Sequence, residues 1–355
     1  MFKLTELKDK QPHLQEHQWP PLPRFKSTPE DIREFLSLPR SLQKSSLAEV
    51  RDTPAYDEFI NTKLAYISGY LFSYCDGPLH QAVDEDLEYE IQRMKLSVES
   101  EVLDHWLSSA NREYPFKDSA ECADYLQHLT FDNPGINHPL FDFLRNDANE
   151  VTFKYFLRNE VCRNEVVDDE VAVMTTGIQG AMKAAVCSNL WDEVGQGNLG
   201  KFHTYWLREL VEDYSDWHSL IRYRAEERPW FTMITTNVFN ILLTRPGLKF
   251  RRYGWFLLNE GWVSPHFTKV LYGMDRVGLC RKGQQIYFKA HESIDPRHTV
   301  ELIESIRYQR PTLSDKQMSE IACGAHMSLE ASLKQYDAML NYLVAINDGK
   351  IVHKN

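Results

Sequence analysis

Residues 287–302 read YFKAHESIDPRHTVEL, and the spacing of His291, Asp295 and His298 within them decides how the chain is read. A helix turns about 100° per residue, so intervals of four and seven residues bring all three side chains within roughly 60° of one another on one face. Two imidazoles and a carboxylate on one stripe suit a metal ion. They also suit a polar face turned to solvent, and the segment alone does not choose. Pro296 follows Asp295 directly. Proline in a helix interior forfeits a backbone hydrogen bond, so a kink or restart is expected there, with His291 before it and Asp295 and His298 at or after it.

The helical period extends outward from this stretch. Apolar residues three and four apart run from about Leu47 to Ala110, and again from HPLFDFLRN, after the turn signal DNPG at Asp132–Gly135, almost to the C-terminus. Breaks fall at Gly195, Gly197 and Gly200, at Pro229, at Arg245–Gly247, at Arg281–Gly283 and at Arg310–Thr312. Asp118 and Glu121 make a capping box. The first 40 residues carry Pro12, Pro20, Pro21, Pro23, Pro29 and Pro39, and read as an extended arm with one short helix capped by Thr28. The fold class is therefore all-α: an N-terminal arm and helical extension over residues 1–135, then a bundle of about seven helices over residues 136–355.

With 43% hydrophobic and 12% aromatic residues, a chain of 355 can bury a large core. Its net charge of -11, from 51 acidic against 40 basic residues without a basic run, argues against nucleic acid as a partner. No apolar run is long enough to cross a bilayer and the N-terminus lacks an apolar signal core, so a cytoplasmic protein without a membrane partner is expected. The cysteines, Cys75, Cys122, Cys162, Cys187, Cys280 and Cys323, lie far apart and form no C-x2-C pair. They are expected to be reduced, buried and inert, with Cys187 as core filler.

Three more segments join the opening one. In NLWDEVGQGNLGKFHTYWLREL, Glu193 and His203 are ten residues apart, which on a straight helix turns them about 80° away from each other. The glycines between them let the chain unwind and re-enter with His203 turned inward; they also suit a plain helix–helix turn. Glu260 sits among Trp, Phe, Leu and Val, where a carboxylate must be paired, protonated or metal-bound. Glu160, in FKYFLRNEVCRNEVV, has Arg158, Arg163 and Glu165 around it and also suits a surface position. Four carboxylates and three histidines on helical segments of one bundle are the ligand inventory of a carboxylate-bridged di-iron or di-manganese site. Trp255, Phe256, Trp262, Trp191 and Tyr205 are candidates for a pocket wall or for plain core. Arg158, Arg208, Arg251, Arg252 and Arg297 are candidates to clamp a substrate carboxylate, or for surface ion pairs.

The order of these motifs resembles the heme-oxygenase-like diiron oxidase and oxygenase family, the iron-containing redox enzymes. The resemblance rests on Phe156 to Glu160, on Asn189-Leu190-Trp191-Asp192-Glu193-x-Gly195-x-Gly197 with His203, on Gly254 to Glu260, and on Tyr287-x3-His291-x3-Asp295-x2-His298; it covers about residues 138–345. It implies a heme-oxygenase-like bundle with Glu160, Glu193, His203, Glu260, His291, Asp295 and His298 as metal ligands, Glu165 being the alternative first carboxylate. It further implies two Fe(II) ions per chain, O2 as co-substrate, room for an external electron donor, and a homodimer built through the helical extension. The expected reaction is N-oxygenation or oxidative C–C cleavage or decarboxylation of a small amino-acid-derived metabolite in bacterial specialised metabolism. The alternative is a metal-free member of the fold with a non-redox or interaction role.

Overall fold

A computed structural model describes residues 37–72, 85–214, 220, 223 and 227–351. The short helix expected after Thr28, Cys75 and the side chain of Arg208 lie outside the described residues. The described chain runs α1 (Arg40–Glu49), α2 (Pro54–Phe72), α3 (Glu85–Glu101) with a π turn at Val102–Trp106, and α4 (Ser119–Phe131). It continues through α5 (Pro139–Asn146), α6 (Glu150–Asn164), α7 (Val167–Met174), α8 (Gly180–Glu193), α9 (His203–Tyr214), α10 (Ile234–Thr244), α11 (Lys249–Arg276), α12 (Lys282–Arg307) and α13 (Asp315–Asn347). Among the described residues the sole β feature is an isolated antiparallel bridge between Val194 and Phe202.

Local chemistry sets several helix starts. The Asp118 carboxylate accepts from the backbone N–H groups of Ala120 and Glu121, His138 Nδ1 accepts from Leu140, and Asn149 Oδ1 from Thr152. Ser314 and Gln317 close a capping box at α13. The bundle half holds more helices than the seven expected, because it also breaks between α5 and α6, at Glu165–Val166, and at Thr175–Gln179. No described helix is long and apolar enough to cross a membrane.

Two apolar cores meet in the middle of the molecule. The first joins α2, α3 and α4 to α7, α8, α10 and parts of α11, α12 and α13, so its residues come from both sides of position 135. The second joins α5, α6 and α9 to the remaining parts of the same three long helices. On α11, Tyr253 to Trp262 face the first core and Phe267 to Met274 the second; on α12, Tyr287 and Phe288 face the second and Leu302, Ile303 and Ile306 the first. Glu260, His291, Asp295 and His298 therefore fall near the seam, where polar groups interrupt neither core.

Helix α11 packs most extensively on α13 and α12. It approaches α13 through a reciprocal glycine contact: a Cβ on Gly254 would stand 1.8 Å from the Ile321 carbonyl oxygen, and one on Gly324 would stand 1.8 Å from that of Arg251.

The break expected at Pro296 does not occur, and α12 runs unbroken through it. Proline leaves the carbonyl of Glu292, four residues back, without its N–H donor. The hydroxyl of Ser264 on α11 takes that place, donating to Glu292 O at 3.1 Å. Thr268, one turn on, donates to Glu292 Oε1 at 2.5 Å, so α11 is fastened to α12 beside the ligand stripe.

Candidate metal centre

Among the described residues, two groups of three metal-ligating side chains converge: Glu193, His203 and His291 in one, and Glu260, Asp295 and His298 in the other. Within each, one ligand atom per residue lies within 4.8 Å of the others. Helix α12 supplies both groups. His291, Asp295 and His298 are 6%, 2% and 1% exposed, so the stripe faces inward rather than to solvent.

The glycine-rich stretch delivers Glu193 and His203 to the same place. Helix α8 ends at Glu193, two short 3-10 turns follow at Gly195–Gly197 and Leu199–Lys201, and His203 opens α9. Gly195 has φ +56°, and a Cβ there would lie 2.5 Å from the backbone of Lys201, so the reversal requires glycine. The result is a 2.9 Å approach of His203 Nδ1 to Glu193 Oε2, with His291 Nε2 4.0 Å from Glu193 Oε1. His203 stacks on Trp206 at 4.9 Å and meets the His291 ring edge-on at 4.4 Å.

In the second group His298 Nδ1 lies 3.3 Å from Glu260 Oε2 and 3.8 Å from Asp295 Oδ1. Asn189 Nδ2 stands 3.0 Å from Glu260 Oε2 and 2.9 Å from His298 Nδ1. The far nitrogens of the α12 histidines are held by the protein. His291 Nδ1 donates to the Tyr287 carbonyl at 2.8 Å, which leaves Nε2 as the lone pair turned to Glu193. His298 Nε2 lies 3.0 Å from Asp192 Oδ2, and Asp192 is itself held by Gln196 and Arg297. A carboxylate or carbonyl on the distal imidazole nitrogen is the usual way of orienting a ligating histidine. Asp192, Asn189 and Tyr287 were not singled out in the sequence for this role, although all three stand in the motifs that carry the resemblance.

The electrostatics are those of a cation site. Burial drives the Asp295 carboxyl well above the usual carboxylate range, and Glu260 and Glu193 push it further. Burial also raises the Glu193 carboxyl, but His203, His291 and His298 outweigh it and hold the group below its ordinary value. Burial, then His203, brings His291 down to about 3. Burial lowers His298 too, yet the Glu260 and Asp192 carboxylates raise it to about 8. Glu193 Oε2 and His203 Nδ1 are buried, 2.9 Å apart, and still without an aligned hydrogen bond. Two buried acceptor-type atoms converging without a bond fit ligands that share an ion. Carboxylate oxygens and imidazoles with no cysteine among them suit iron or manganese, so the donor set fits the metal.

Glu193, Glu260, His291 and Asp295 line a cavity of about 130 Å³. Of the candidates for wall or core, Trp255, Phe256 and Trp262 belong to the first apolar core and also line the cavity, joined there by Phe141, Phe267 and Tyr336; Trp191 is 53% exposed and Tyr205 is not in the wall. Glu160 also faces this cavity but belongs to neither ligand group, and Glu165 is the C-cap of α6, outside the wall. Among the described residues the arginine lining the cavity is Arg163, which was not one of the expected clamps. Arg251 pairs with Glu320, Arg252 with the carbonyl of Thr176, and Arg297 with Asp192 and Glu301, while Arg158 stands outside the wall. Cys122, Cys162 and Cys323 are buried as expected, but Cys187 and Cys280 are exposed.

The sequence pattern that describes iron-containing redox enzymes matches residues 154–333, a span that holds all six converging side chains. No curated protein matches the chain. Two crystal structures of a CADD-like protein of unknown function from Nostoc punctiforme share the fold. One is 15% identical with a TM-score of 0.51 and covers 64% of this chain and 98% of its own. The other is 14% identical with a TM-score of 0.50, covering 66% and 99%.

Proposed function

The chain belongs to the family of iron-containing redox enzymes, and from that premise we propose that it is a non-heme diiron oxygenase acting on a small amino-acid-derived metabolite. The observation that carries this reading is the pair of three-ligand groups opening on one cavity. Glu193, His203 and His291 would hold one iron, and Glu260, Asp295 and His298 the other; Glu160 is left out of the ligand set. Iron at such a site supplies the activation of dioxygen.

The residues of the chain supply the rest. Tyr287 and Asp192 fix the histidine rings, the glycine turn sets His203 against Glu193, and the unbroken α12 holds ligands of both groups on one rigid element. Phe141, Trp255, Phe256, Trp262 and Phe267 give the cavity an apolar wall, which strengthens charge interactions beside it. A metal-free role would leave the buried Glu193 and Asp295 beside the partly buried Glu260 with imidazoles alone to balance them, an arrangement whose desolvation is costly. N-oxygenation and oxidative C–C cleavage both fit a cavity of this size.

Anaerobic reconstitution with Fe(II) is expected to load close to two irons per chain, followed by O2 uptake on exposure to air. One tightly held zinc per chain, with no O2 uptake after iron loading, would sink the proposal.

A further inference from the structure

Glu160 is the cavity acid that neither ligand group takes up. It stands on α6 one turn before Arg163, and both line the cavity with Glu170 of α7. The latter two cancel: Arg163 Nη1 lies 2.9 Å from Glu170 Oε2, and Glu170 is fully buried. Among the described residues no cation comes within ion-pair distance of the Glu160 carboxylate. Arg163 and Arg228 act on it from farther off, and Arg228 is committed to the hydroxyl and carbonyl of Thr232 at 2.9 and 3.1 Å. The remaining contact is long, 3.4 Å from Asn164 Nδ2, whose shorter bond of 2.9 Å goes to the Glu160 backbone carbonyl. Burial accordingly raises this carboxyl to about 7, against the pull of Arg163 and Asn164.

The other polar groups of the wall offer no counter-charge. Asn259 donates to Trp255 O and Ser328 Oγ, and Gln335 accepts from Thr235. His266 meets the Gly135 carbonyl through Nε2 and is kept neutral by burial, at about 3. Once ionised, the carboxylate is an acceptor-only group, and in an aromatic cavity it favours a ligand that brings both a positive charge and N–H donors. A neutral or anionic ligand of the same shape would leave the carboxylate unpaired. Tyr287 lines the cavity too, and its phenol is raised by burial and then by the charges of Glu193, Glu160 and Asp295.

Resting on the reading of the cavity as the substrate site, the geometry points to Glu160 as the anchor for a primary ammonium group, which makes the ligand class a short amine with an apolar or aromatic body. Glu160 and residues of both ligand groups line the same cavity, so a held amine lies in the space onto which the metal ligands open.

The test titrates n-butylamine, butan-1-ol and butyrate into Fe(II)-loaded protein under nitrogen, and into metal-free protein, by calorimetry at pH 8. Butylamine should bind at least about tenfold tighter than either analogue, as expected for a charge-assisted hydrogen bond. Glu160→Gln should erase that preference while keeping the native iron content. Equal affinities in the native protein would overturn the inference, as would a preference that survives in Glu160→Gln. A Glu160→Gln protein short of one iron would make Glu160 a ligand and overturn it too. Failure of the native protein to take two irons counts against the diiron reading alone, because the amine preference is also read without metal.

Discussion

Replacing Ser264 by alanine removes the donor that meets the Glu292 carbonyl where Pro296 cannot. The bond is partly buried and 3.1 Å long. Its loss leaves a buried acceptor unpaired, a penalty of about 1–3 kcal/mol, against a net value of about 1 kcal/mol for an ordinary hydrogen bond. About 1–2 kcal/mol is expected, since some water can reach a partly buried carbonyl. Urea unfolding of the metal-free protein reads this as a lower midpoint at unchanged slope. The decisive arm is a double-mutant cycle with Pro296→Ala. Alanine at 296 restores the backbone N–H to Glu292, so Ser264→Ala should then cost at most about half as much, a coupling of about 1 kcal/mol. Additivity of the two substitutions within about 0.3 kcal/mol would refute the claim that Ser264 stands in for the missing donor.

Glu260→Ala should lower iron from two to one per chain while leaving metal-free stability within about 1 kcal/mol of native, because it removes a ligand but also relieves the repulsion on Asp295; normal iron content would show that Glu260 is only a packed acid. Gly195→Ala should destabilise the protein by about 2 kcal/mol or more, from the left-handed backbone and the clash with Lys201, and should empty the site formed with His203; metal analysis and denaturation check both. Between about pH 4.5 and about pH 7 the unfolded chain ionises Glu160 while the folded chain keeps it protonated, so the unfolded state binds fewer protons and stability falls as pH rises. Urea midpoints of metal-free protein across that window should fall less in Glu160→Gln, and an unchanged slope would contradict the assignment.

Residues whose placement is fixed by their own helix were legible in the sequence. His291, Asp295 and His298 needed only the turn per residue, and the glycines after Glu193 announced the reversal that brings His203 back. Glu260 declared itself by its apolar neighbours. What depended on a second helix was hidden. Pro296 reads as a break until Ser264 is seen across the α11–α12 contact, and Asp192 and Asn189 gain their roles only when α8 packs against α12. Chain order suggested Glu160 as a first carboxylate because it precedes the others, whereas the fold places it in the lining of the same cavity without joining either three-ligand group. The additional helices came from breaks such as Gly177–Gly180, where the glycine signal was present but the flanking pattern looked continuous.

The reciprocal contact of Gly254 and Gly324 bears on how such a scaffold can diversify. Each glycine is closed off by the other helix's carbonyl oxygen, not by a side chain, so no compensating replacement opposite either one makes room for a methyl group. Neither position can drift alone, and a double change does not rescue them, so the spacing of α11 and α13 is locked against gradual mutation. The cavity wall is different in kind: Phe141, Phe156, Trp255 and Phe267 meet the cavity through side chains that can be exchanged one at a time. A lineage carrying this backbone lock can therefore explore new substrates at the wall while the distance between Glu260 and the elements behind it stays inherited.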